Sequence, residues 1–201
     1  AGSVLLITWD LRGLYATVGQ ALHHAAFQVA SIISTTGFAT ADFDLWPSFS
    51  KAILMVLMIT GACAGSTAGG LKLARALLLI KTLRRNARQV LHPNRVQVVR
   101  DNGQVVSEKV LEHANAYFAA YIIIILVSFL LISLDEFSLT TNFTAVLACF
   151  NNVGPGFDGV GPTCSFAAYS GFSKLVLTMD MLAGRLEIFP ILALFSRGSW
   201  T

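Results

Sequence analysis

The chain has 201 residues, of which 55% are hydrophobic and 12% are charged, and its mean hydropathy is +0.67. Soluble domains carry about 25% charged residues, because a surface that faces water needs them. The composition therefore excludes an ordinary soluble domain and predicts a protein that resides in the lipid bilayer. The three cysteines are widely spaced, so they indicate neither a disulfide framework nor a metal site.

The basic residues are unevenly distributed along the chain. Nine of the fourteen lie between positions 72 and 109, where only Asp101 and Glu108 oppose them. Basic residues that flank membrane spans mark the cytoplasmic side of the membrane. We therefore interpret 72–109 as cytoplasmic and expect no nucleic-acid partner.

In chain order, the first apolar stretch is 4–8, which we interpret as the tail of a helix whose start is absent. Residues 21–33 are apolar but too few to cross a bilayer, which takes about twenty residues. They predict a re-entrant helix, and a Gly-centred loop follows at 34–40. The next apolar stretch, 52–80, is long enough to span the membrane.

The middle of 52–80 is interrupted by small residues, namely Gly61, Gly65, Ser66, Thr67, Gly69 and Gly70. Glycines four residues apart suit close helix packing. Each interior glycine also costs a helix about 1 kcal/mol relative to alanine. We favour a helix broken in mid-membrane at 61–70, where irregular backbone must be buried in protein or line a water-filled cavity.

The second half of the chain starts with the hydrophilic stretch 81–112, in which an Asn-Gly turn at 102–103 predicts a small β-hairpin. Residues 110–134 are the clearest span. Residues 142–150 are again too short to span and predict a second re-entrant helix. A second Gly-centred loop follows at 151–157, and 166–195 is the last predicted span.

The two Gly-centred loops match each other at a spacing of 117 residues. Aligning Gly37 with Gly154 places Thr36 on Val153 and Thr35 on Asn152. The order of elements predicts two units of span, short helix, loop and span, the first lacking most of its opening span. The predicted fold class is therefore an all-α membrane protein built from two such repeats.

These loops have the composition of a cation filter. A cation that crosses a bilayer must exchange its water for protein oxygens, and rings of backbone carbonyls supply them. Glycine reaches the backbone angles that point successive carbonyls one way. The short helix before each loop presents its partially negative C-terminal end to the cation. A fourfold ring needs four loops, and this chain contains two.

Charged residues within the last span have two interpretations. On a helical wheel, Arg185 points about 140–160° away from both Asp180 and Glu187. It either faces the pore, where its charge impedes a cation, or lies near the inner end, where it snorkels or pairs with another helix. Lys72, just after the Gly-rich break, has the same two interpretations.

Four motifs resemble the Trk/Ktr/HKT potassium-transporter superfamily, and within it the bacterial Trk membrane subunits. They occur in the family's order and cover about residues 15–195. They are Thr35-Thr36-Gly37-Phe38, the run from Gly61 through Gly65-Ser66-Thr67-Ala68-Gly69-Gly70 to Lys72, Asn152-Val153-Gly154-Pro155-Gly156, and Gly184-Arg185-Leu186-Glu187.

The resemblance implies a chain of four repeats around one pore, assembled as a homodimer. Residues 1–80 would be the third repeat, 81–109 a cytoplasmic basic linker and 110–201 the fourth repeat. Potassium would bind filter residues Thr35, Thr36, Gly37, Phe38, Asn152, Val153, Gly154 and Pro155. The gate would comprise Gly61, Gly65, Ser66, Thr67, Gly69, Gly70, Lys72 and Arg185.

The resemblance also implies a location and a partner. The protein would lie in the bacterial inner membrane with its filter loops facing outward. An RCK-type, nucleotide-binding regulatory subunit would dock on the cytoplasmic face, partly on 81–100. No organic cofactor is expected in this chain, and transport as a channel or as symport with sodium or protons both remain open.

Two other classes of function are weaker alternatives. A membrane-embedded enzyme would use His23 and His24 with the intramembrane Asp180 and Glu187. The histidines are predicted on the outer side and Glu187 well inward, so these groups do not converge at one depth. The other alternative is a non-conducting assembly module whose loops fold only against a partner.

Overall fold

The computed structural model describes residues 1–61, 71–91, 98–101 and 104–186, and this part of the chain is mostly helical. Four short 3₁₀ turns join the longer elements. The elements are α1 (Gly2–Asp10), α2 (Val18–Ile33), α3 (Ser48–Thr60), α4 (Leu73–Leu91), β1 (Arg100–Asp101), β2 (Gln104–Val105), α5 (Glu108–Ile132), α6 (Leu139–Phe150) and α7 (Gly171–Leu186).

Among the described residues, α5 is the one helix both long and apolar enough to cross a membrane. It corresponds to the span predicted at 110–134. Its buried residues recur every three or four positions, as expected for a helix that packs along one stripe. Only 28% of its most apolar window is buried. The rest of the helix presents apolar side chains outward, which suits a lipid environment better than water.

The two short helices each pack between two neighbours. Helix α2 contacts α1 and α3, and α6 contacts α5 and α7. The predicted stretch 21–33 corresponds to α2 and the stretch 142–150 to α6, and both helices start three residues earlier than predicted. Thr17 and Ser138 explain these earlier starts, because each side chain accepts a hydrogen bond from a backbone N–H in the first turn.

The burial of the two short helices differs. Nine of the twelve residues of α6 are buried, whereas six of the sixteen residues of α2 are buried. Helix α6 is enclosed by α5 and α7, and α3 also contacts it. Helix α2 leaves Leu22 and Phe27 exposed.

The long apolar stretch at 52–80 is not one helix. Helix α3 ends at Thr60, where Gly61 has φ +59°, and α4 begins at Leu73. The predicted break residues Gly65, Ser66, Thr67, Gly69 and Gly70 lie outside the described residues. Helix α4 then runs through position 81, where the linker was predicted to begin, and continues to Leu91. Residues 81–91 contain three Arg and two Leu, and these residue types favour helix wherever packing does not decide.

The predicted β-hairpin is present but short. Arg100 pairs with Val105 and Asp101 with Gln104 in antiparallel register. The Val106 N–H also donates to the Val99 carbonyl at 2.9 Å. The turn itself, at 102–103, lies outside the described residues. An ion pair of Lys81 with Asp101 at 2.5 Å connects the hairpin to α4, and one of Arg85 with Glu108 at 2.6 Å connects α4 to α5.

Helix α7 packs directly on the end of α6 at Gly184. A Cβ atom at this position would overlap the carbonyl oxygen of Phe150 and lie 3.0 Å from the Asn152 side chain. Because the obstructing group is backbone, it cannot rotate away. Glycine is therefore required where α7 crosses the end of α6.

We expect Gly184→Ala to lower the thermal unfolding midpoint in detergent, because overpacking costs about 1–3 kcal/mol. The matched control is Gly171→Ala in the same helix, where no atom lies within 4 Å of the added Cβ. That control should leave the midpoint unchanged or raise it. Equal midpoints for the two variants would contradict this view of the helix crossing.

Candidate functional site

The chain leaves the two short helices through the same hydrogen bonds. At the end of α2 three successive N–H groups bond back to the helix, and the end of α6 repeats them 117 residues later. The first set is Ser34 to Ala30 (3.0 Å), Thr35 to Ile32 (3.1 Å) and Thr36 to Ser31 (2.9 Å), and the second is Asn151 to Leu147 (3.0 Å), Asn152 to Cys149 (3.1 Å) and Val153 to Ala148 (2.9 Å). Bonds of this kind satisfy the last carbonyls of a helix in the Schellman motif.

The two loops also share their unusual backbone angles. Thr35 has φ +54° and Asn152 has φ +55°, while Gly37 has φ +77° and Gly154 has φ +106°. These are the residues that the sequence alignment pairs. A β-branched residue such as threonine is a genuine outlier at positive φ. Such strain persists only where the surroundings enforce it, and it concentrates at functional sites.

Positive φ at every second residue changes where the carbonyls point. Along an ordinary extended strand successive carbonyls alternate between opposite sides. A left-handed residue at alternate positions turns the peptide planes, so that successive carbonyls can share one side. Glycine adopts this geometry without steric cost. Both loops therefore have the backbone needed to line a row of oxygen atoms.

Polar side chains of α2 support the first loop. Ser31 Oγ donates to the Phe38 carbonyl at 2.7 Å, and Gln28 Nε2 donates to the Ala41 carbonyl at 3.2 Å. His24 Nδ1 lies 3.1 Å from the hydroxyl of Thr40. The sequence analysis missed Gln28 and Ser31 as functional residues. The available signal was a polar residue at spacings of three and four on an otherwise apolar helix.

The second loop is supported by α5, α6 and α7. Thr144 Oγ1 accepts from the Phe157 N–H at 3.1 Å. Tyr121 OH donates to Asn151 Oδ1 at 3.2 Å, and Asn152 Nδ2 donates to the Met181 carbonyl at 3.2 Å. The two asparagines thus brace the loop through their side chains.

The segments that follow the two loops are also held by hydrogen bonds. Hydrogen bonds from Ser138 and Thr141 hold the pKa of the Asp158 carboxyl below its usual value. Thr163 Oγ1 donates to Asp42 Oδ2 at 3.2 Å and so connects the segment after the second loop to the segment after the first loop.

The two loops touch each other at Gly37. A Cβ atom on Gly37 would overlap the Val153 carbonyl oxygen and lie 3.2 Å from Pro155 Cδ. Gly154 differs, because a Cβ there would meet no atom within 4 Å. The structure therefore brings the predicted filter residues of both loops together. Phe38 is 71% exposed and lies at the edge of this contact.

The predicted gating residues are only partly described. Gly61 is buried at the end of α3, and Lys72 is half-buried just before α4. Arg185 is exposed in the last turn of α7. Asp180 is buried instead and accepts a hydrogen bond from Ser128 at 2.7 Å. Asp180 and Arg185 therefore lie on different faces of α7, as the helical wheel predicted.

The remaining polar candidates are His23, His24 and Asp180, whereas Glu187 lies outside the described residues. Among the described residues, no group of three His, Cys, Asp or Glu side chains can hold a metal ion. The His24 ring stacks on Tyr15 at 5.0 Å, and the His23 ring meets His24 edge-on. Both histidines thus lie on α2, whereas Asp180 lies on α7 and is buried against Ser128 of α5.

The comparisons with known proteins agree on one family. The family model of TrkH, described as a cation transport protein, matches residues 14–199. The chain is 37% identical over 198 residues to the Trk system potassium uptake protein TrkH of Salmonella typhimurium, which covers 97% of the chain and 40% of the relative. It is 36% identical to the TrkH of Escherichia coli K12, with the same coverage.

A solved structure agrees with these relatives. The crystal structure of the potassium transporter TrkH from Vibrio parahaemolyticus matches with a TM-score of 0.89 and 34% identity, and the match covers 98% of this chain and 42% of that one. The chain thus spans about two fifths of the length of the relatives it matches. With most of its length matched by the family model, the chain belongs to the TrkH family of cation transport proteins.

Proposed function

We propose that this chain forms two of the four loops of a potassium-selective filter in a transporter of the bacterial inner membrane. The observation that carries the proposal is the pairing of positive φ angles, Thr35 with Asn152 and Gly37 with Gly154. The relatives named above are potassium uptake proteins or a potassium transporter. Since the chain spans two fifths of their length, the other two loops come from two further repeats or from a second chain.

In this function the backbone performs the chemistry. Carbonyl oxygens replace the water around a potassium ion as it enters the filter. The filter residues are Thr35, Thr36, Gly37, Phe38, Asn152, Val153, Gly154 and Pro155. The C-terminal ends of α2 and α6 each add about half an elementary negative charge beside the ion. No side chain of the filter has to donate a proton or act as a nucleophile, so the activity is transport and not catalysis.

Selectivity requires that the loops keep their spacing, and three kinds of contact support this. Ser31 and Gln28 hold the first loop to α2, and Asn152 holds the second loop to α7. The close approach of Gly37 to the Val153 carbonyl sets the distance between the loops. A filter braced in this way resists adjusting to an ion of another size.

The gate lies on the inner side of the filter in this proposal. Helix α3 ends at Thr60 and α4 begins at Leu73. The proposed gate lies between these two helices and comprises Gly61, Gly65, Ser66, Thr67, Gly69, Gly70 and Lys72, together with Arg185 of α7. Arg185 follows Gly184, which touches the end of α6. We propose that the guanidinium lies near the inner end of the filter, where its charge opposes a passing cation, and the contact of the preceding Gly184 with the end of α6 supports this. The filter loops then face outward and 72–109 is cytoplasmic.

The proposal includes two partners. The transporter is a homodimer, and an RCK-type nucleotide-binding subunit regulates it from the cytoplasmic face. The basic stretch 81–100 contributes to that face, because it contains six basic residues and no acidic residue. The nucleotide binds to the regulatory subunit and not to this chain.

We expect Gly37→Ser and Gly154→Ser each to lower the potassium-to-sodium permeability ratio at least tenfold, a loss of about 1.4 kcal/mol. Both variants place a side chain at positive φ and should lower the unfolding midpoint. Gly37→Ser should lower it more, because its side chain would also overlap the Val153 carbonyl, whereas no atom lies within 4 Å of a Cβ at Gly154. The measurement is ion flux in liposomes that contain all four loops. Gly19→Ser, at a position with no atom within 4 Å, is the control. Unchanged selectivity in both filter variants would refute the filter assignment.

We expect Ser31→Ala to lower the same permeability ratio about two- to tenfold. The variant removes one hydrogen bond to the Phe38 carbonyl, which is worth about 0.5–1.5 kcal/mol. Ser133→Ala is the matched control, because Ser133 bonds only to the Phe129 carbonyl at the end of α5. If the two variants lose equal selectivity, Ser31 does not position the loop.

We expect Arg185→Ala, or deletion of 62–69, to raise potassium flux, because each removes an obstacle below the filter. Lys174→Ala is the matched control, since it removes a positive charge from the outer end of the same helix. Flux through that control should equal the unaltered flux. The gate assignment does not survive if Arg185→Ala and the deletion both leave the flux unchanged.

A further inference from the structure

Helix α4 and the β-hairpin enclose a basic pocket that the filter and gate do not use. The pocket is a concave space of about 260 Å³. Val98 and Val99 form part of its wall. Its basic lining residues are Lys81, Arg84, Arg85, Arg88 and Arg100.

The charge in this pocket is only partly balanced. Lys81 pairs with Asp101, and Arg85 pairs with Glu108. These two acids are the only ones between positions 72 and 109. Arg84, Arg88 and Arg100 have no acidic partner within the described residues. Three guanidinium groups around one concave space form a site for a multiply hydrogen-bonding anion, since a guanidinium matches the geometry of phosphate.

The pocket lies beside the end of a membrane span. The Arg85–Glu108 ion pair ties α4 to the first turn of α5. Helix α5 is the described helix that can cross a bilayer, so its first turn is at the level of the lipid headgroups. An anion that binds in the pocket is therefore at headgroup depth.

Apolar side chains are exposed beside the arginines. Leu83 is 69% exposed and Val90 is 82% exposed on α4, and Val98 at the pocket wall is 50% exposed. A basic surface interleaved with exposed apolar residues is typical of segments that lie at a membrane interface. Basic pockets at the cytoplasmic ends of membrane helices also bind anionic lipid headgroups. An acidic protein partner would account for the arginines but not for these apolar neighbours.

We propose that this pocket binds the phosphate headgroup of an anionic phospholipid in the cytoplasmic leaflet. Arg84, Arg88 and Arg100 supply the hydrogen bonds to the phosphate oxygens. The apolar residues beside them contact the upper part of the acyl chains. The site is distinct from the filter, and its occupancy does not depend on potassium transport.

The experiment uses the purified chain in neutral detergent, with phosphatidylglycerol or phosphatidylcholine added. Phosphatidylglycerol should raise the unfolding midpoint by about 5 °C at saturation, and phosphatidylcholine should not. The double variant Arg84→Gln/Arg88→Gln should lose this shift, and added salt should weaken it. The double variant Arg12→Gln/Lys174→Gln removes the same charge outside the pocket and should keep the full shift.

A second measurement distinguishes the loss of lipid binding from the failure of a variant to fold. Arg100→Gln alters the hairpin and leaves every helix intact, and it should reduce the amount of phosphatidylglycerol that remains bound in native mass spectrometry at least threefold. An equal shift with phosphatidylcholine, or an unchanged shift in the pocket variants, overturns the proposal. The lipid assignment is overturned if inorganic phosphate or pyrophosphate alone raises the unfolding midpoint by the same amount. It is also overturned if only an added protein, and no lipid, raises the midpoint.

Discussion

A helix that ends in the middle of a membrane leaves carbonyl groups that neither water nor lipid can satisfy with hydrogen bonds. Much of this structure serves to supply donors to such carbonyl groups. Helices α2 and α6 end at Ile33 and Phe150, and in the proposed function both ends lie within the membrane. The N–H groups of the following residues turn back to the last carbonyls, which requires a left-handed residue at Thr35 and at Asn152. The turn that ends each helix also sets the direction of the loop that follows it, and this loop is the proposed filter segment.

The two loops meet this constraint with different side chains. The first relies on polar residues of its own helix, Gln28 and Ser31. The second relies more on its neighbours, because Tyr121 of α5 bonds to Asn151 and the Met181 carbonyl of α7 accepts from Asn152. A shared backbone with unrelated supports explains why residue identity between the loops is low although their register is the same. Backbone geometry, more than side-chain identity, is what the loops have in common.

The features that could be predicted from the sequence are those that depend on one residue type or on the length of one local run of residues. Gly37 and Gly154 marked both loops and their register, and the lengths of the apolar runs separated α2 and α6 from the span α5. The extension of α4 to Leu91 was missed because charged residues in a membrane protein were taken as linker, although they form helix readily. The support of Phe157 by Thr144, and the requirement for glycine at 184 beside Phe150, depend on residues distant in the chain. No local pattern in one sequence shows such contacts.

The unequal burial of α2 and α6 bears on how such a chain assembles. Helix α6 has its hydrophobic surface covered by α5 and α7 of its own unit and also contacts α3 of the first unit. Helix α2 has Leu22 and Phe27 exposed. In the proposed ring of four loops a further repeat would cover these two side chains, so the first unit is the half of this chain that offers a surface for assembly.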